Sequence, residues 1–385
     1  MMEADIIQRF LESVGAKADI DLYLKLFRAQ RKESFAILVP NAQIVKSALD
    51  PVHFDLRILA DLGLIPVVLL GLLEPKDADA QAQRVADWLT EDAVRCEIVR
   101  ADPEMNAEAI MTIRAVIARG AIPLVSVESA GAQTVDLRFR LLARMAESLE
   151  TRRIVFLSRR AGLEVNGGGK PPSVVSLATD VERLLAPGAL SRGQALLLRQ
   201  VKRLLEQVHH RMNVTVVNPL QLLRELFTVN GAGTLIRRGS RIAVHDGWAN
   251  ADHQRLRALF SSAFGRTIRD DFFDRTVART YVEEAYLGAA VMEPTPVAPY
   301  LSKFAVERMA QGEGLGSEIW SLVTRDFPTF YWRSRSENPI TAWYTKNCDG
   351  MARFPSWHIF WRGLPPDNIP AAITHALSLA SDFVG

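Results

Sequence analysis

A chain of 385 residues, 48% hydrophobic and 23% charged, has the length for two domains that each bury a core, and it is too apolar to be disordered. A net charge of +2 gives no reason to expect a nucleic acid or another polyanion as partner. Cys96 and Cys348 have no CxxC spacing, which argues against a structural zinc site and fits a reducing compartment.

At the start, Met1-Met-Glu-Ala-Asp5 lacks the basic stretch and apolar core of a secretory leader, and no apolar run reaches the ~18 residues that span a bilayer. The expected location is cytoplasmic, with no membrane partner. Two short helices are expected first, one carrying Ile6, Ile7, Phe10 and Leu11, the next Leu22, Leu24, Leu26 and Phe27. From Phe35 onward, short apolar runs alternate with helix-length mixed segments. The runs are Phe35-Ala-Ile-Leu-Val39, Ile65-Pro-Val-Val-Leu-Leu70, Ile122-Pro-Leu-Val-Ser-Val127, Ile154-Val-Phe-Leu157 and Val214-Thr-Val-Val217. Strands apolar on both faces and separated by helices predict a mainly parallel sheet covered on both sides, an α/β sandwich over roughly residues 33–238. Thr234-Leu-Ile-Arg-Arg-Gly239 closes it, and Val244 to Ala251 reads as the passage to a second domain.

That second domain opens with a helix near Asp252–Phe264, then a hairpin of Thr280–Tyr286 and Ala289–Glu293 with its turn near Gly288. Pro294, Pro296 and Pro299 break regularity before the strand Tyr300-Leu-Ser-Lys-Phe-Ala-Val306. Next comes Gln311-Gly-Glu-Gly-Leu-Gly316, then Ile319, Leu322 and Val323 at helical spacing. A strand, a Gly-rich turn and a helix start make an anion cradle, because glycines allow close backbone approach and free N–H groups face the ligand. The pattern Gln-x-x-Gly-x-Gly resembles the coenzyme A pyrophosphate loop of GNAT acetyltransferases.

Thr329-Phe-Tyr-Trp-Arg-Ser-Arg335 reads as the following strand, and Trp357-His-Ile-Phe-Trp-Arg362 as a later one. Alternation puts Arg333 and Arg335 on one face, and with Lys303 nearby the cations suit a dicarboxylate. A solvated edge strand with two surface arginines fits the same letters. Tyr344 is a candidate general acid for a leaving thiolate, or a core tyrosine with its hydroxyl satisfied. Asn338 is placed either to hold substrate or to cap the next helix, and Trp343, Trp357 and Trp361 read as core. Gly167-Gly-Gly-Lys170 lacks the spacing of a phosphate loop and reads as a hairpin turn. His209-His210 reads as solvated, Asp270-Asp271 as a helix-end charge pair, and Cys348 has no neighbouring His to activate it. No metal site is expected.

Taken in order, Tyr300-Leu-Ser-Lys-Phe304, Gln311–Gly316, Phe330-Tyr-Trp-Arg-Ser-Arg335, Asn338-Pro-Ile340, Trp343-Tyr344, Asp349-Gly350 and Ile359-Phe-Trp-Arg-Gly-Leu364 resemble the acetyltransferase domain of the vertebrate-like N-acetylglutamate synthase family. That domain is shared with bifunctional bacterial synthase/kinases. Upstream, Glu225-Leu-Phe-Thr228 and Gly231-Ala-Gly-Thr-Leu235 resemble the end of the family's amino-acid kinase domain. The resemblance implies an amino-acid kinase-like αβα sandwich over 1–240, with N-terminal helices in 1–32, followed by a GNAT domain over 245–385. It implies acetyl transfer from acetyl-CoA to the α-amine of L-glutamate by direct attack. Glutamate would be held by Lys303, Arg333, Arg335 and Asn338, with Tyr344 assisting transfer. Acetyl-CoA would lie against Phe304, Val306, Gln311, Gly312, Gly314, Leu315 and Gly316.

Active kinases of the family carry Lys-x-Gly-Gly after the first strand and a His-Gly-Gly-Gly-like loop after the second. Here Val39 stands at the lysine position, Asn41-Ala42 replaces the glycines, and the second loop reads Leu70-Gly-Leu-Leu73. Without the lysine and the glycine cradle, phosphoryl transfer loses its main electrostatic stabilisation, so this domain is expected not to phosphorylate. By resemblance, such a domain supports a homo-oligomer, a tetramer, and binds L-arginine as effector, here near Glu225, Gly231 and Gly233. A helix end capped by glycine fits those three residues equally well. The rival readings are a GNAT acyltransferase for another amino acid, or a non-catalytic regulatory subunit that binds arginine or a partner enzyme.

Overall fold

The computed structural model describes residues 11–384 other than 14, 48, 102–104, 128–133, 167–170, 229–230 and 311–313. The chain divides into two compact units, Met1–Gly239 and Ser240–Gly385. The expected helix at Ile6, Ile7 and Phe10 and the turn at 167–170 lie outside the described residues.

The first unit holds an eight-stranded sheet: β1 (Ile37–Pro40), β2 (Val67–Leu70), β3 (Cys96–Arg100), β4 (Ile122–Ser126), β5 (Arg153–Leu157), β6 (Val174–Ser176), β7 (Asn213–Val217) and β8 (Thr234–Arg237). They run in the order β3-β4-β2-β1-β5-β7-β8-β6, parallel except where β8 pairs antiparallel with β7. The five apolar runs are β1, β2, β4, β5 and β7. Every residue of β1, β2 and β4 is buried, as strands covered on both faces require. β3 escapes that pattern because it is an edge, where Glu97 and Arg100 face solvent on either side of Ile98 and Val99. In the helix Lys17–Ala29 the buried positions are Ile20, Tyr23 and Phe27, not Leu22, Leu24 and Leu26. Residues two apart cannot share a helix face, whereas spacings of three and four can. Phe27 meets Phe35 and Phe227 edge-on at 5.0 and 5.7 Å.

The second unit is a seven-stranded sheet of β9 (Ile242–Asp246), β10 (Arg279–Glu283), β11 (Gly288–Glu293), β12 (Tyr300–Val306), β13 (Phe330–Arg335), β14 (Gly350–Arg353) and β15 (Trp357–Arg362), ordered β14-β15-β13-β12-β11-β10-β9. Val244, expected in a passage, lies in the edge strand β9. Gly288, expected in a turn, begins β11, and the turn is made at Tyr286 with φ +61°. The glycine serves packing: a Cβ there would stand 2.9 Å from Leu315 and Ile319 of the helix Leu315–Asp326. That helix covers one face of the sheet through Ile319, Trp320 and Val323. On the opposite face, the helix His253–Phe264 packs on β10–β12 through Leu256, Leu259 and Phe260. The helix Ile369–Ser378 covers the same region of sheet as Tyr300, Tyr331 and Ile359 through Ala372 and Ala376.

Candidate active site

Every neighbouring pair in the second sheet is antiparallel except β12 and β13, which run parallel. They are joined at a single register position, Tyr300 opposite Tyr331, with the Tyr331 N–H donating to the Pro299 carbonyl at 3.2 Å. Beyond it no pairs form, so a cleft opens toward Val306 and Arg335. A bulge sharpens the site: Val291 pairs with Lys303 and Met292 with Leu301, leaving Ser302 as the extra residue. It resets the alternation, so that Leu301 and Phe304 both face the helix Leu315–Asp326 while Lys303 faces the other side.

Tyr344, on the helix Thr341–Asn347, has its ring among aromatics of both diverging strands. Its centroid is 6.3 Å from Phe304 on β12 and 5.5 Å from Trp332 on β13, with Phe360 at 5.4 Å. Burial pushes its hydroxyl well above the ordinary tyrosine value, so the group stays an O–H donor. Trp343 stacks on Phe304 at 5.5 Å. On β13, β15 and this helix, Trp332 Nε1, Ser334 Oγ, His358 Nδ1 and Thr341 Oγ1 are buried with no hydrogen-bond partner among the described residues. Ser334 and His358 stand directly opposite each other across β13 and β15.

The cations lie on the other face. Arg333 and Arg335 do share a side, and both guanidiniums sit over the Trp357 ring, at 4.1 and 4.3 Å from its centroid. Trp357, expected in the core, is a half-buried platform instead. Arg335 donates no hydrogen bond within the described residues, whereas Arg333 donates to the carbonyls of Ala376, Leu379 and Ala380 at 2.7–2.8 Å. Arg333 therefore clamps the end of the helix Ile369–Ser378, which leaves fewer donors for a ligand than the strand pattern promised. Lys303 is 3% exposed, and its Nζ donates to the Asp382 carboxylate and to the Ser302 carbonyl at 3.1 Å. Asp382, Arg275 and Glu293, which complete this cluster, lie far apart in sequence and were not foreseen. Asn338 Oδ1 accepts from the Ile340 N–H at 3.2 Å, a turn leading into the helix Thr341–Asn347.

At the other end of β12, Gly314 has φ +84° and sits immediately before the helix Leu315–Asp326. Only glycine adopts that backbone without strain. Leu315 is buried, and Phe304 and Val306 lie 3.6 Å from where a Cβ on Gly316 would stand. Gln311, Gly312 and Glu313 lie outside the described residues.

In the first unit, the loops after β1 and β2 are filled by protein. Val39 is buried, and Asn41 Oδ1 accepts from the Gln43 N–H at 2.8 Å as the chain turns into the helix Ala42–Ser47. After β2, the carbonyls of Leu72 and Leu73 accept from the buried Arg138 guanidinium at 2.6 and 3.2 Å. The Glu225 carboxylate accepts from Thr215 Oγ1 at 3.0 Å and from the N–H groups of Ala232 and Gly233 at 2.7 and 3.1 Å. It braces the Gly-rich turn, and a Cβ on Gly231 would stand 2.6 Å from it.

Residues 243–378 match the family model of NAT, the N-acetyltransferase of N-acetylglutamate synthase. Over nearly its whole length the chain is similar to an acetylglutamate kinase of Xanthomonas campestris, at 27% identity over 97% of this chain and 100% of that one. It is also 28% identical to the mitochondrial N-acetylglutamate synthase of Homo sapiens, over 98% of this chain and 79% of that one. The fold resembles that of N-acetylglutamate synthase from Neisseria gonorrhoeae, solved with coenzyme A and N-acetyl-glutamate, at a TM-score of 0.52 and 16% identity over 90% of this chain and 97% of that one. The same Neisseria protein has been solved with coenzyme A and L-arginine.

Proposed function

We propose that this relative of the N-acetylglutamate synthases is itself an acetyl-CoA:L-glutamate N-acetyltransferase, acting by direct attack with no covalent enzyme intermediate. The observation that carries the reading is the β12–β13 cleft, with a neutral tyrosine on one face and a cluster of cations on the other. Tyr344 protonates the leaving thiolate. The glutamate ammonium gives up two protons in all, of which one replaces the proton that Tyr344 has given to the thiol and the other ends in solvent. Arg335 forks onto one glutamate carboxylate and Lys303 meets the other, while Asn338 keeps its amide hydrogens for the same ligand. The turn at Gly314 and the first N–H groups of Leu315–Asp326 receive the pyrophosphate, with Gln311 and Gly312 completing the loop. The Phe304 and Val306 side chains line the strand beside it.

The first unit does not phosphorylate on this reading, although the Xanthomonas relative is named a kinase. A loop whose carbonyls accept from Arg138 presents oxygen where a phosphate needs N–H donors, which supports the silent assignment. That unit serves a homo-oligomer, a tetramer, and receives L-arginine beside Glu225, Gly231 and Gly233. Two widely separated free thiols fit a reducing, cytoplasmic setting.

The test is thiol release from acetyl-CoA across a panel of amino acids, with and without ATP. Glutamate-dependent release without ATP consumption is expected. Release with a different acceptor overturns the substrate, ATP turnover overturns the silent unit, and no release with any acceptor leaves a regulatory subunit in its place.

A further inference from the structure

Lys303 is a buried ammonium at the cleft, and the residues that satisfy it come from four places in the chain. Asp382 accepts from Nζ, and its other oxygen lies 2.7 Å from Arg275. Arg275 in turn stands 3.8 Å from Glu293 on β11, so two cations and two anions balance. Phe272 and Phe383 place their rings 4.5 and 5.4 Å from Nζ. The remaining charges nearby include Arg333, which reaches Tyr300, Arg269, which reaches Asp382, and Asp271, which pairs with Arg269 and reaches Arg275.

The segment that delivers Asp382 is tied down along its length. Arg333 holds the carbonyls of Leu379 and Ala380. The Arg269 N–H donates to the Asp382 carbonyl at 2.9 Å, and the Val384 N–H to the Thr267 carbonyl at 2.8 Å. Phe383 packs against Phe264 at 5.1 Å. This many anchors are not needed to end a helix. They hold one carboxylate against one ammonium, on the sheet face that also carries Arg335.

We propose that Asp382 is a positioning residue for the acceptor, and that residues 379–384 form a wall of the acceptor site. The proposal rests on the acetyl-transfer reading above. Burial strips water from the ammonium and lowers its hold on the proton, which the two ring faces and above all a counter-ion oppose. Asp382 supplies that charge and takes one of the three Nζ hydrogens, and the Ser302 carbonyl takes a second. One hydrogen remains to meet a ligand carboxylate, in a direction fixed by the other two. Arg275 acts in the opposite sense, since a second cation disfavours the charged lysine.

The experiment compares the full chain with Asp382→Asn, Asp382→Glu and Arg275→Gln, reading the KM of glutamate and of acetyl-CoA and the pH profile of kcat/KM for glutamate. Asp382→Asn is expected to raise the glutamate KM about tenfold, leave the acetyl-CoA KM in place, and move the alkaline fall of the profile to lower pH. Asp382→Glu restores much of the loss, and Arg275→Gln moves the alkaline fall the other way. If Asp382→Asn fails to fold, the Arg275→Gln shift still decides. A lower glutamate KM in Asp382→Asn would make the segment a competitor for Lys303 and overturn the proposal. So would an equal rise in both KM values, or pH profiles that do not move in either variant. Wild-type protein without glutamate-dependent thiol release removes the acceptor reading first, an outcome separate from any variant result.

Discussion

In the proposed reaction, the burial of Tyr344 suits it to hold a proton for donation. Its ring is held by Phe304, Trp320, Trp332 and Phe360, and the same packing raises its pKa. A tyrosine of this kind rests in its protonated form throughout the neutral and alkaline range, ready to donate at each turnover. Tyr344→Phe keeps the packing and removes the proton, so kcat is expected to drop about 10²-fold with both KM values nearly unchanged. Steady-state kinetics decide it, and an unchanged kcat would reduce Tyr344 to a packing residue. Arg335 and Arg333 separate in the same way. Arg335, stacked on Trp357 with its donors uncommitted, is expected on Arg335→Ala to raise the glutamate KM at least tenfold while the acetyl-CoA KM stays within twofold, about 1.4 kcal/mol or more of acceptor binding. Equal damage to both substrates would take that role away. The shared face of Arg333 and Arg335 was legible from strand alternation, and Tyr344 was singled out by local motif alone. Asp382, Arg275 and Trp357 were not, because their meaning lies in partners brought from elsewhere in the chain.

At the scale of the element, the helix Leu49–Asp61 carries a cost of its own. Asp55 faces inward, with Oδ2 unpartnered, and burial raises its pKa to about 8. In the unfolded chain the same carboxyl ionises at the ordinary aspartate value of about 4. The folded state therefore holds a proton that the unfolded state has lost between those two values, and stability declines as pH rises from about 4 to about 8. Asp55→Asn preserves the shape and removes the titration. It is expected to raise Tm by several degrees at pH 8, with little change at pH 4, when followed by thermal melts across that range. A melting curve as pH-dependent in the variant as in the parent would show that Asp55 is solvated or paired. Nothing in the structure explains why a carboxyl is kept there. The central strands of this unit were legible from their apolar runs, and its helices only as mixed segments between them, with the buried face of Lys17–Ala29 misassigned. β3 and β6 were not, one being a charged edge and the other only three residues long. Gly288 misled for a related reason: a glycine demanded by a neighbouring helix looks in sequence like one demanded by a turn.

For the molecule as a whole, a mainly parallel sheet in one unit and an antiparallel-rich one in the other followed from the change in patterning along the chain. The parallel junction inside the second sheet did not, since nothing in Tyr300–Val306 or Phe330–Arg335 announces which strands will be neighbours or how soon they part. In the first unit, the Arg138 guanidinium and the buried Leu72 lie together after β2, a contact between residues that are far apart in the sequence.

That parting of β12 from β13 has one more consequence. Beyond Tyr300 and Tyr331, the facing backbones of the two strands form an edge in the middle of a sheet, where strand pairing stops after one register position. An outer edge is blunted by charge, proline or a covering loop. An inner one can be healed only by something slender that enters it and carries amides of its own. On the proposed reading, the acyl donor would enter as a short eighth strand, by the same backbone logic through which peptides extend sheets. An acyl thioester without amides in its arm would offer the same reactive carbon and leave the gap unmended.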